Sequence, residues 1–160
     1  MTKLITIAVD AMGGDNSPEK IINGIEHFHK ENKDVFYKIF GNKNIILQII
    51  QNKKIDKNFY ELIHTEDKIE NEDSALSGAK KGKNTSMWLT IESVKNKTSD
   101  IAISAGNTGA LFVISKLNLN MIENIDKPAL SGLWPNRIGM KMAEAAYLHG
   151  EEWHPHHRSK

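Results

Sequence analysis

Apolar residues along this chain come in short unbroken runs, and between the runs they recur at helical spacing. "LITIAVD" (Leu4 to Asp10) is continuous and rich in β-branched side chains, the pattern of a strand buried on both faces. A glycine turn follows, "DAMGGD", and then "SPEKIINGIEHFHKE", where Ile21, Ile22, Ile25 and Phe28 fall on one helical face. Ser17 is placed to cap that helix, with Pro18 at its first position. "VFYKIFG" (Val35 to Gly41) predicts a second strand, "NIILQIIQN" (Asn44 to Asn52) a second helix, and "FYELIHT" (Phe59 to Thr65) a third strand ending near His64, a structural histidine. The acidic stretch from Glu66 to Asp73 reads as solvated surface. "TSMWLTIESVKNK" (Thr85 to Lys97) is amphipathic again, and "DIAISAG" (Asp100 to Gly106) predicts a fourth buried strand. "NTGALFVISKLNLN" predicts the next helix, and "KPALSGLWPN" begins a fifth strand. Strands alternating with helices imply βαβ units: an α/β fold with a mostly parallel sheet and right-handed crossovers.

Composition narrows the function classes. The chain has 160 residues, 26% charged and 39% hydrophobic, as expected for a globular α/β protein. Its net charge of +1, with Lys and acidic residues mixed rather than striped, argues against nucleic acid as a partner. No apolar run approaches the roughly 20 residues of a membrane span. The strand-like start "MTKLITIAVDAMGG" has no signal-peptide cleavage pattern, so a cytoplasmic protein is expected. The absence of cysteine excludes disulfides, thiolate-bound zinc and a cysteine nucleophile.

One break stands out. Residues 1–140 are heavy in Asn, Lys and Ile, whereas 141–160, "KMAEAAYLHGEEWHPHHRSK", contain neither Asn nor Ile. That segment holds four of the seven histidines, which points to a tail of different origin. His154, His156 and His157 are spaced to meet a metal, yet a His-rich, Pro-interrupted terminus of foreign composition is more often without function; no metal or cofactor is expected.

The chemistry gathers at two glycine turns. In open parallel sheets, ligands collect at the carboxyl ends of strands, where helix N-termini present free N–H groups. Asp10, Gly13, Gly14 and Asp15 lie in the first such turn; Ser104, Gly106, Asn107, Thr108 and Gly109 lie in the second. In the second, Asn107 can cap the helix, Thr108 can donate a hydroxyl, and Gly109 leaves room for a ligand against the backbone. Orthophosphate fits such a nest without a cationic side chain. Equally, each turn can be only a tight connection, and neither matches a dinucleotide or P-loop motif. Asp10 and Asp15 would repel phosphate; they are expected to orient loops, with a general-base role for Asp10 and a helix-capping role for Asp15 as the alternatives.

"IAVDAMGGDNSPE", "KNTSMWLTIESVKNKTSDIAISAGNTGALF" and "NIDKPALSGLWPNRIGM", in that order, resemble the PlsX family of phosphate acyltransferases from Leu4 to about Met140. The resemblance implies a three-layer α/β/α fold like that of phosphotransacetylase and isocitrate dehydrogenase. It also implies transfer of a fatty acyl group from acyl carrier protein to inorganic phosphate, giving acyl phosphate for phospholipid synthesis. A homodimer, associated peripherally with the inner face of the membrane, goes with that family. Phosphate attacks the thioester directly, so the protein's tasks are positioning and oxyanion stabilisation. Asn107 and Asp10 are the candidate catalytic residues, with Gly13, Gly14, Asp15, Ser86, Ser104, Gly106, Thr108 and Gly109 as substrate contacts; Lys83, near Ser86, can meet an anion or simply be solvated. The family's chains are longer, so this one reads as truncated, with apolar sheet surface left uncovered; the alternatives to an active transferase are a phosphate- or phosphometabolite-binding module without catalysis and a non-functional remnant.

Overall fold

A computed structural model describes residues 4–121, 123–124, 128, 130–136 and 139–146. The chain divides into two compact units, residues 1–120 and 121–160. The first is built on a four-stranded, all-parallel sheet ordered β3-β2-β1-β4, from strands β1 (Ile5–Asp10), β2 (Val35–Gly41), β3 (Tyr60–His64) and β4 (Ile101–Ser104).

Strand β1 is an inner strand, with Ile7 and Val9 on one face and Ala8 and Asp10, both buried, on the other. On one face Ile7 and Val9 join Tyr37 and Ile39 of β2, and helices α1 (Glu19–Glu31) and α2 (Lys43–Lys53) bury Ile22, Ile25, Ile46 and Ile50 against them. A fully buried isoleucine contributes about 1.5–3 kcal/mol. On the other face the sheet meets helices α4 (Ser86–Lys95) and α5 (Thr108–Asn118), where Met87, Trp88, Ile91, Ala110 and Ile114 form a second core with Ile69. The three layers follow from the crossovers: steps from β1 to β3 run one way along the sheet, and the return to β4 runs the other.

Caps explain where most helices begin. The Asn42 side chain accepts from Asn44 and Ile45 N–H ahead of α2, and Thr85 accepts from Trp88 N–H ahead of α4. Helix α1 departs from expectation. It starts at Glu19 with no side-chain cap, because the Ser17 hydroxyl turns back to donate to the Gly13 carbonyl. The glycine turn therefore closes on itself instead of capping the helix.

Other expectations need correction. The segment expected as wholly solvated loop contains buried Ile69 and runs into a short helix, α3 (Ala75–Lys80), capped by Ser74. A turn of 3-10 helix (Lys57–Phe59) precedes β3. Strand β4 is not buried on both faces: Ile101 and Ile103 are 46% and 48% exposed at the sheet edge. They face the layer of α1, and Ile103 lines an apolar groove of about 380 Å³ with Ile7, Val9, Ile21 and Phe28. The expected fifth strand exists, but in the second unit. There β5 (Leu130–Asn136) pairs antiparallel with β6 (Gly139–Ala146), so it does not extend the parallel sheet as a βαβ step would. This hairpin spans the compositional break at residue 141. His154, His156 and His157 lie outside the described residues.

Candidate functional site

The parallel register sets Asp10 beside Ser104, so β1 and β4 end side by side and both glycine turns leave the sheet from the same edge. Asp10 is 1% exposed, and both carboxylate oxygens are in use. Oδ2 accepts from the Ser104 hydroxyl at 2.7 Å, and Oδ1 accepts from Met12 N–H at 3.1 Å. Ser104 Oγ in turn accepts from Gly106 N–H at 3.1 Å. A buried carboxylate costs free energy unless such donors surround it, and here they shape both turns at once.

The glycines serve this contact between turns. A Cβ on Gly13 would lie 2.6 Å from Asp10 Oδ2, 2.8 Å from Gly106 N and 2.9 Å from Ser104 Oγ. Gly14 has φ +85°, and its Cβ would lie 2.5 Å from the Ala105 carbonyl. Met87, next to buried Ser86, packs beneath the second turn: a Cβ on Gly106 would meet its Cε at 3.0 Å. Ser86 itself is tied by its N–H to the Asp67 carbonyl at 2.9 Å. The room beside Gly109 is likewise taken, by Ala75 of α3 at 2.9 Å from a Cβ placed there. Lys83 is exposed ahead of α4, and His64, at the end of β3, accepts from Lys43 N–H at 3.2 Å.

Asn107 caps α5 as its sequence position suggests, accepting from Ala110 N–H at 2.9 Å. Its amide nitrogen is fully occupied as well, donating to the carbonyls of Asn71 (3.0 Å) and Asp73 (2.6 Å). At the start of α5 the Thr108 and Gly109 N–H groups have no intrahelical partner, and the Thr108 side chain is exposed. These N–H groups, at the positive end of the helix dipole, can hold an anion.

Asp15 does not cap α1. It is exposed, and its Oδ1 accepts from the Asn71 amide at 2.9 Å. Sequence reasoning missed Asn71, Asp73 and their loop, because an acidic run carries no periodic signal. In the structure Asp73 accepts from Glu70 N–H at 2.8 Å and pairs with Lys81, while Lys68 pairs with Glu70 at 3.1 Å. The Lys81 ammonium, and after it the Glu70 N–H, hold the Asp73 carboxyl below its ordinary value. Since the folded pKa is the depressed one, this contribution is complete above the ordinary value of 3.8 and is lost as pH falls through the folded value. Asp73 is therefore expected to stay ionised below pH 3.8 in a carboxyl chemical-shift titration, and Lys81→Ala to return its midpoint towards 3.8.

The sequence profile described as "Fatty acid synthesis protein" matches residues 5–143, which takes in both turns and everything between them. The chain belongs to this family. A family relative named "Phosphate acyltransferase" from Pelagibacter ubique (strain HTCC1062) is 63% identical over 142 residues, covering 89% of this chain and 42% of the relative. Another of that name, from Parvibaculum lavamentivorans (strain DS-1 / DSM 13023 / NCIMB 13966), is 38% identical over 140 residues, covering 87% and 39%. The chain thus spans about two fifths of the length of these relatives. Like the family resemblance read from the motifs, the match identifies an acyltransferase family active in fatty acid synthesis.

Proposed function

We propose that this chain is the N-terminal portion of an enzyme that moves a fatty acyl group from acyl carrier protein to inorganic phosphate. The observation that carries the reading is the meeting of the two glycine turns at the ends of β1 and β4, where helix α5 begins. Phosphate held there attacks the thioester carbonyl carbon. The new C–O bond forms, the C–S bond breaks, and the carrier leaves as thiolate and takes up a proton. Asp10 acts by positioning, since both its oxygens already hold the turns in place. Asn107 also positions, because its amide is committed to the loop. No helix among the described residues is long and apolar enough to cross a membrane, and a cytoplasmic enzyme, dimeric and peripheral to the membrane, is part of the same proposal.

A second reading, a phosphate-holding module without turnover, is favoured by one observation. The side chains best suited to chemistry, Asp10 and Asn107, are both consumed in structural hydrogen bonds. Titrating the full-length protein with phosphate and then following acyl carrier protein thioester separates the two. Saturable binding with phosphate-dependent thioester loss is the expected result. Binding without loss selects the second reading, and no binding removes both.

A further inference from the structure

The loop between β3 and α3 contains no residue that the turn motifs pointed to, yet it touches both turns. The Asn71 carbonyl accepts from Asn107 at the second turn, and the Asn71 amide donates to Asp15 at the first. The neighbouring Asp73 carbonyl takes the other Asn107 hydrogen. Buried Ile69 anchors one end of the loop in the α4/α5 core, and the Asp73–Lys81 pair anchors the other to the end of α3. Asn71 thus bonds to both turns, in addition to their direct contact and the Asp10–Ser104 bond. A polar recess of about 250 Å³ lies between this loop and the first turn, lined by Gly14, Asp15, Ser17 and Asn71 among others.

We infer that Asn71 is a positioning residue for the phosphate site. It adds a second tie between the turns beside the Asp10–Ser104 bond, and so steadies the aim of the Thr108 and Gly109 N–H groups, without touching the anion. This role rests on the proposed phosphate reading of the turns, while the mechanical link between them stands on the hydrogen bonds alone. The Asn71 side chain supplies the Asp15 end of the bridge and its backbone carbonyl the Asn107 end, so Asn71→Ala breaks the tie to the first turn without removing any core contact. Two bonds meeting in one residue let a change at the first turn reach the second.

The test follows backbone amide spectra of the full 160-residue chain during titration with inorganic phosphate. Three forms are compared: wild type, Asn71→Ala, and the exchanged pair Asp15→Asn with Asn71→Asp, which restores a hydrogen bond with donor and acceptor reversed. Asn71→Ala is expected to shift the Gly13, Gly14, Thr108 and Gly109 amides and to weaken phosphate about three- to fivefold, the scale of one exposed hydrogen bond. The exchanged pair is expected to recover most of both effects, which a loss of general stability would not do. Unmoved Thr108 and Gly109 amides in Asn71→Ala, with unchanged phosphate affinity, would overturn the inference. If wild type itself shows no phosphate-induced shift, the phosphate reading and the positioning role built on it fall together. The amide shifts of Asn71→Ala and their recovery in the exchanged pair still decide the link between the turns.

Discussion

Gly13→Ala is expected to destabilise the first unit by about 3 kcal/mol, the upper end of what an added methyl costs in a packed site. The new Cβ would meet a carboxylate oxygen, a backbone nitrogen and a hydroxyl at 2.6, 2.8 and 2.9 Å. None of these is the far end of a flexible side chain. Asp10 and Ser104 hold one another, and Gly106 N belongs to the opposing turn. The two turns must separate, and the Asp10–Ser104 bond stretches with them. Thermal unfolding followed by circular dichroism should show a midpoint roughly 10 °C lower. Gly24→Ala supplies the comparison, because nothing lies within 4 Å of a Cβ at that exposed position in α1. There the better helix propensity of alanine should raise stability by up to about 1 kcal/mol. A Gly13→Ala protein that melts within 2 or 3 degrees of wild type would mean that the turns are not in contact.

The second large effect is at Asp10. Truncation to alanine leaves the partly buried Ser104 hydroxyl and Met12 N–H without their acceptor, at about 1–2 kcal/mol for each orphaned group. A total near 3 kcal/mol is expected, together with weaker phosphate binding, since Ser104 would no longer be held to orient Gly106. Asp10→Asn keeps one acceptor and the side-chain shape, and the Ser104 hydroxyl can reverse to accept from the new amide. Its cost should be about 1 kcal/mol, with phosphate affinity largely retained. Were Asp10 a general base, the order would differ: Asp10→Asn would abolish acyl transfer while leaving stability nearly intact. Urea unfolding of both variants beside a thioester assay separates these cases.

The strand and helix order could be read from the sequence because each element carries its own period. Ile22 and Ile25 at helical spacing, and the unbroken run through Val9, report their local environments directly. The two glycine turns were legible for a similar reason, since a glycine pair between a strand and a helix has few structural uses. What they do was less visible. Gly13 and Gly106 read as substrate contacts, yet the space beside them is filled by the opposing turn, across 93 residues of sequence that no local pattern reports. Asn107 reads correctly as a cap, but the partners of its amide, the Asn71 and Asp73 carbonyls, are backbone atoms without sequence identity. The exposure of Ile101 and Ile103 was hidden for the opposite reason: a β-branched run looks the same at the centre of a sheet and at its edge.

The placement of β1 between β2 and β4 has a consequence for synthesis. A chain emerging from the ribosome at about 5–20 residues per second can pair β1 with β2 once residue 41 is free. The Asp10 carboxylate, however, must wait for Ser104, 94 positions further on, which takes several seconds more. Throughout that interval the nascent chain carries a half-built sheet, with the free edge of β1 and an unmatched charge exposed at its tip. Until Ser104 has emerged, β1 has only one of its two neighbours, and the first unit cannot close both sides of its central pairing.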